Sequence, residues 1–402
     1  MDIDNAGQVR TIDEVKETLD LAFIKESNLN NVTQVLHIEP GANSEKNNLK
    51  LLELDEHLLE TIEKRGSLSF QGNKNEHAVL CTKNKTYDLK EAETSNSCLL
   101  VPNLKFSSDT QIQSLEMVLE NLNVAGIFHM YYEVRECKPK LEKLLTMLDP
   151  SSFKGVEYES AIDPDTLYNW EKLRSEIQAS EDELKQALQD YLLVDIDGYI
   201  RLISFECEAR SLTYMLDLFD ENCWEVDEVD KELMIESLKE LILKPVFDTL
   251  FHKYTEPSDM SKEDGTRLYR YNVEKCCKIL AKVLLAASPV TEYNQFIESW
   301  KIGTPEKMQP KEEYLSGIAL ILPNNLTMKK EVVSFPEENL SKSITERFNE
   351  LFKVKNKWTV QEITPYVSKL TTGKLDVNGL LTKYARCSVV NGIKYYSSKH
   401  GK

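Results

Sequence analysis

The sequence predicts an α+β protein: an N-terminal β-barrel-type domain, completed by a partner subunit, followed by three tandem winged-helix domains. Three observations predict it. Short alternating apolar segments separated by polar turns crowd the first 115 residues. A helix–helix–hairpin order appears after residue 165 and returns after residue 340. The charge also changes sign along the chain, from an acidic body to a basic end. On this reading residues 1–115 form the barrel-type domain, 116–164 a connector, and 165–229, 230–336 and 337–402 the three winged helices.

Each element has a local reason. Residues 11–26 carry helical apolar spacing through Val15, Leu19, Leu21, Ala22 and Phe23. From Gly66 the period changes to two, with strands expected at 67–70, 78–82, 86–89 and 98–101 and turns at 71–75 and 83–85. So few strands cannot close a barrel alone, and exposed edges call for another chain. A helix from Lys138 to Leu148 opens the connector, which Asp149-Pro150 and Asp163-Pro164 interrupt. Leu167 to Gln178 reads as a helix. Ser180-Glu181-Asp182-Glu183 is a capping box for the next one, and Asp197-Gly198 between β-formers marks a hairpin.

The middle segment suggests helices at 231–243, 271–287 and 292–300, and a strand pair at 317–322 and 331–335; a helical array fits it as well. Near the end, Ser343–Phe352 is helical and Thr359-Val360-Gln361-Glu362 is a second capping box. Asp376 can cap a helix from Val377 to about Arg386, and a hairpin follows around Asn391-Gly392. Leu380, Val389 and Ile393 are expected in the core, and Tyr384 is expected to pack rather than to stack on a ligand.

Composition narrows the function. The 402 residues are 41% hydrophobic and 29% charged, in the range of folded soluble chains. No run approaches the roughly 20 apolar residues of a membrane span, and the polar, acidic start does not read as a secretory leader. The eight cysteines form no Cys-x-x-Cys pair and read as buried free thiols. Thr372-Gly373-Lys374 lacks the upstream glycine and the following Ser/Thr of a phosphate loop. Asp195-Ile196-Asp197-Gly198 lacks the later ligands of a calcium loop. No hydrolase, kinase or metalloprotease motif occurs, so the expectation is a non-enzyme without cofactor or metal.

Charge is more telling. The net charge is −18, yet residues 353–402 hold ten Lys/Arg against Glu362 and Asp376. That end is therefore +8 and the first 352 residues −26. A basic terminal module attracts a polyanion that the body repels. Lys383 and Arg386, at i and i+3, are expected on one face of the last helix, with Lys394 on the wing and Lys399 after it. Lys374 and Lys357 complete the candidate DNA-contact set. No Arg/Asn/Gln base-reading group gathers on one helix, so weakly specific, salt-dependent binding is expected. The rival readings are a scaffold that binds only protein and leaves its basic end solvated, and a site-selective transcription factor.

Several stretches resemble the sister-chromatid-cohesion Dcc subunit of the alternative replication factor C clamp loader. They are Glu76-His77-Ala78-Val79-Leu80-Cys81-Thr82-Lys83-Asn84-Lys85-Thr86-Tyr87-Asp88-Leu89-Lys90 with Glu93-Thr94-Ser95-Asn96, Ile177-Gln178-Ala179-Ser180-Glu181, Arg347–Phe352 with Lys357-Trp358-Thr359, and Leu380–Tyr384. They keep their order across the chain; residues 1–50 and 205–335 carry no quotable motif. The resemblance implies a nuclear, non-catalytic subunit that helps load or unload the sliding clamp PCNA and supports cohesion during DNA replication. It implies as partners the small and large subunits of that loader, which complete the barrel. It also implies the catalytic region of DNA polymerase epsilon, docked on the barrel and first winged helix, and single- and double-stranded DNA on the later ones. No membrane partner is implied.

Overall fold

The computed structural model describes residues 11–25, 32–38, 49–106, 118–324, 328–371 and 375–399. The chain divides into two compact units, the first comprising residues 1–146 and 169–187, the second 147–168 and 188–402.

In the first unit, Thr11 caps α1 (Ile12–Leu21) and Glu14 closes a capping box on it. β1 (Val32–His37) precedes α2 (Glu56–Glu63), whose N-cap Asp55 accepts from the Leu58 amide at 2.7 Å. β2 (Ser69–Gln71), β3 (Val79–Cys81) and β4 (Thr86–Leu100) follow as a meander through the two expected turns. β5 (Val118–Asn123) lies parallel to β1, and β6 (Gly126–Cys137) runs antiparallel to nearly all of β4. The sequence reading does not mark these last two strands. Their polar outward positions, from Glu120 to Glu136, mask the alternation.

The four-strand sheet has the order β2-β3-β4-β6 and, among the described residues, does not close into a barrel. Leu58, Leu80 and Tyr87 form its small core. After α3 (Glu142–Leu148), the pair α4 (Trp170–Glu176) and α5 (Glu181–Asp190) docks on this sheet. The Gln178 amide donates to the carbonyl of His77 at 2.6 Å, and the Thr86 hydroxyl donates to the Glu183 carboxylate at 2.5 Å. Glu183 also closes the expected capping box, accepting from the Ser180 amide at 3.0 Å.

In the second unit, residues 147–168 are followed by the hairpin β7 (Leu193–Ile196) and β8 (Tyr199–Leu202). Asp197 and Gly198 have φ of +54° and +86°, the type I′ turn that Asp-Gly favours. Then one order of elements recurs. α6 (Phe205–Glu221), α7 (Lys231–Leu238) and α8 (Lys244–Tyr254) lead to the hairpin β9 (Thr255–Ser261) and β10 (Arg267–Tyr271), and Val229, ahead of α7, bridges to Tyr269.

α9 (Val273–Ala287), β11 (Val290–Glu292) and α10 (Tyr293–Ile302) lead, through a 3-10 turn at Glu312–Leu315, to β12 (Ala319–Pro323) and β13 (Lys330–Ser334). α11 (Ile344–Val354), β14 (Trp358–Thr359), α12 (Val360–Val367) and α13 (Val377–Tyr384) lead to β15 (Ala385–Val390) and β16 (Ile393–Ser398). Each time the short first strand or bridge pairs with the last strand of the hairpin, giving the sheet orders β11-β13-β12 and β14-β16-β15.

One apolar core runs from Phe153 to Val332 through the first two repeats, and a separate core built on Phe348, Trp358, Tyr366 and Leu380 serves the third. Among the described residues, no helix is long and apolar enough to cross a membrane. Cys81, Cys207, Cys276 and Cys277 are buried free thiols, but Cys98, Cys223 and Cys387 are exposed, against the expectation for all eight. Small size and weak polarity let a thiol sit on either side of a protein surface.

Candidate nucleic-acid interface

The third repeat is built around α11, which turns Phe348, Leu351 and Phe352 inward. Trp358, on β14 beside β16, is buried, its indole N–H donating to the carbonyls of Lys355 at 2.8 Å and Leu351 at 3.2 Å. Thr359 and Glu362 form the expected capping box on α12, and Asp376 caps α13 by accepting from the Gly379 amide at 2.8 Å. Leu380 is fully buried, as expected, and Tyr384 stacks on Phe348 with ring centroids 5.6 Å apart. Tyr384 therefore packs rather than offering a free face.

The candidate cations divide by what they already do. Lys383 is exposed in the last turn of α13, its ammonium 5.3 Å from the Tyr384 ring centre. Arg386 does not share a helix face with it. The helix ends at Tyr384 because Ala385 adopts extended dihedrals (φ −126°, ψ 159°), and Arg386 pairs with Ser397 inside the terminal sheet. The competing hydrogen bonds of β16 end the helix earlier than its side-chain periodicity suggests. Lys394 is exposed on β16 opposite Val389, and exposed Lys357 directly precedes β14. Among the described residues none of these four forms an ion pair with a carboxylate, and no acid occurs in the sequence from Val377 to Lys399. Lys374 lies outside the described residues.

Lys399 has a different occupation. Its ammonium donates to the carbonyls of Thr382 at 3.0 Å and Lys383 at 2.7 Å, covering the C-terminal end of α13. A cation there satisfies orphan carbonyls and complements the helix dipole. Two other basic residues of this segment are also engaged: Lys355 pairs with Glu362 at 2.6 Å and Lys369 with Glu337 at 2.6 Å. Formal charge in the sequence thus overstates the cationic surface left for a ligand.

Val389 and Ile393, expected in the core, are exposed, as is Val390. They sit at the hairpin end, past Tyr396, the last inward-facing residue of β16. Apolar character alone did not distinguish a buried strand from a projecting tip. Sequence reasoning also missed the buried Arg347, although a lone Arg within the apolar pattern of α11 was a usable signal. Its Nη1 meets Glu337 Oε1 at 2.5 Å and the Tyr366 carbonyl at 2.9 Å, while Nε and Nη2 reach the carbonyls of Ser341 and Leu340. Desolvation pushes the Glu337 carboxyl up, but hydrogen bonds from Lys369 and Arg347 outweigh it and hold it below the ordinary glutamate value.

Chemically, this surface offers separated cations on a helix end and a hairpin. Among the described residues no group of His, Cys, Asp and Glu could hold a metal ion.

A family model described as "Sister chromatid cohesion protein Dcc1" matches residues 49–367. The chain is 35% identical over 395 residues to sister chromatid cohesion protein DCC1 of Danio rerio, covering 97% of this chain and 99% of that protein. It is 32% identical over 396 residues to the Homo sapiens protein of the same name, covering 97% and 98%. A probable sister chromatid cohesion protein DCC1 of Dictyostelium discoideum is 26% identical over 358 residues, covering 84% and 90%. Matched by the family model over residues 49–367 and aligned with relatives over nearly its whole length, the chain belongs to the sister chromatid cohesion protein Dcc1 family.

Proposed function

We propose that this chain is a non-catalytic subunit of the alternative replication factor C clamp loader, acting in sister-chromatid cohesion in the nucleus, and that its third repeat binds DNA. The observation that carries the DNA reading is the surface made by Lys383, Arg386, Lys394 and Lys357. They are exposed on a helix end, on the two faces of the hairpin and ahead of β14, with no carboxylate partner among the described residues, on a chain whose first 352 residues carry −26. Family membership supports the cohesion and loader reading, with PCNA, the loader's small and large subunits and the catalytic region of DNA polymerase epsilon as partners. We read the three recurrences, over 205–271, 273–334 and 344–398, as winged helices; the order helix, strand, helix, helix, hairpin supports this. The first two limits replace those at 165–229 and 230–336 because α6 and α8 supply helices that the sequence pattern did not mark.

The open N-terminal sheet supports completion by partner subunits. Its unit exposes Phe23, Phe70, Phe106, Ile38 and Leu59, more apolar surface than a small core usually leaves bare.

The test is titration of fluorescent primer-template DNA with the full chain, wild type and Lys383→Glu/Arg386→Glu, at two salt concentrations. The expected result is affinity that falls with salt and drops by tenfold or more in the double variant; each phosphate contact gives a slope of about −0.9 in log K against log salt. Unchanged affinity in the variant would move the reading to a scaffold that binds only protein.

A further inference from the structure

We infer that the tip of the β15–β16 hairpin is an apolar wedge that seats against the terminal base pair at a single-strand–double-strand DNA junction, resting on the DNA-binding reading above. Val389, Val390 and Ile393 are 63%, 45% and 50% exposed. They flank the turn at Asn391-Gly392, whose φ values of +52° and +78° make the tight reversal, and a Cβ placed on Gly392 would meet nothing within 4 Å. Among the described residues the tip therefore stands clear of its own fold.

Register places these residues on both faces of the hairpin. Val390 and Ile393 are directly paired, on the side shared with Arg386, Ser388 and Tyr395. Val389 pairs with Lys394 on the opposite side, in line with buried Tyr396. A flat partner surface would cover one face and leave the other wet. The tip is apolar on one face through Val390 and Ile393 and sets Val389 beside Lys394 on the other, which fits a base pair against the first and a flanking phosphate near the second.

The charge around the tip selects the partner. From Val377 to Lys399 the chain holds Lys383, Arg386 and Lys394, with Lys399 engaged on the α13 carbonyls, and no acid, which suits a polyanion more than an ordinary protein surface. Within nucleic acid, apolar side chains wedge between base steps at the expense of unstacking them. That cost is smallest where a base is already unpaired, and a junction offers one exposed pair face beside a single strand. The cations then hold the flanking phosphates while the tip meets the bases.

The experiment uses the full chain as wild type, Val390→Ser/Ile393→Ser, the conservative Val390→Ile/Ile393→Val, and Lys383→Glu/Arg386→Glu. Each is titrated with a primer-template junction carrying 2-aminopurine at the last pair, and with a closed dumbbell duplex that has no junction. Wild type is expected to prefer the junction and to raise the 2-aminopurine fluorescence. The serine variant should lose about tenfold in junction affinity and the fluorescence rise, keeping dumbbell affinity and salt slope. The conservative variant should retain both. Equal wild-type affinity for junction and dumbbell, or a serine variant that matches wild type, overturns the wedge while leaving DNA binding intact. Absence of binding to either DNA at low salt overturns the DNA reading itself. A serine variant that changes only self-association, seen by light scattering, makes the tip a protein contact and also overturns the wedge.

Discussion

At the scale of single residues, a cation's worth to a ligand depends on what else it holds. Lys399 caps α13 through two carbonyls, whereas Lys394 projects from a strand. Lys399→Ala should lower stability by about 0.5–1 kcal/mol and Lys394→Ala should leave it nearly unchanged, as thermal melts of the two variants would show. A loss of DNA affinity in Lys399→Ala must accordingly be compared with its melting curve. The cysteines offer a second check. Burial pushes the Cys277 thiol up to about 12 and its neighbour Cys276 higher still, while Cys98, Cys223 and Cys387 are exposed. Native alkylation should modify these last three first, with the buried thiols reacting only after denaturation, a difference that peptide mass mapping reads directly. If the third repeat grips DNA, Cys387 on β15 should be slowed by primer-template DNA and Cys223 should not.

Among the elements, the Arg347 clasp is the most sensitive. A guanidinium that joins Glu337, Leu340, Ser341 and Tyr366 fixes the segment between the second and third repeats onto α11. Arg347→Ala leaves Glu337 buried with Lys369 alone and should cost about 3–5 kcal/mol in urea unfolding. Glu337 adds a pH dependence. Its folded value lies below the ordinary 4.5, so its contribution is complete above that pH and fades as pH falls through the lower, folded value. Wild type should therefore lose stability in acid more steeply than Glu337→Gln, measured as the shift in urea midpoint between pH 6 and about pH 3.

Elements were legible where a local chemical signal defined them. Capping boxes at Ser180 and Thr359 and the Asp-Gly and Asn-Gly turns appear where the sequence put them. α6 was not legible, because no proline or glycine punctuates residues 205–221 and its inward face includes Glu208 and Ser211. Glu208 is buried through bonds to Tyr254 and Lys253, partners some 45 residues away that no local window reveals. The candidate cations were legible as a group, but Arg386's strand position depends on pairing with β16 and Lys399's role on the end of a distant helix.

Across the whole molecule, if the third repeat binds DNA as proposed, the separation of an acidic body from a basic end makes that affinity depend on ionic strength from both sides. Salt weakens attraction at the third repeat and also screens repulsion from the body. The open sheet of the first unit, with Phe23, Phe70 and Phe106 exposed, predicts poor solubility of the chain expressed alone and, if the proposed partners complete it, recovery on co-expression with the small subunit and the tail of the large subunit of the proposed loader. Gel filtration of the two preparations checks this, and a well-behaved monomer purified alone would count against an unfinished sheet.

The shared core of the first two repeats reaches beyond equilibrium structure into synthesis. Phe153 and Val332 belong to the same cluster, so roughly 180 residues must leave the ribosome before the earliest members find their last neighbours. At about 5–20 residues per second this is an interval on the order of ten to forty seconds. During it, α6 and α8 have each other and α7 to pack against but still lack later members of the core such as Phe296, Trp300 and Val332. Pausing or truncation before Val332 is therefore expected to leave part of this core open and to make the fragment more prone to aggregation or degradation than the full chain.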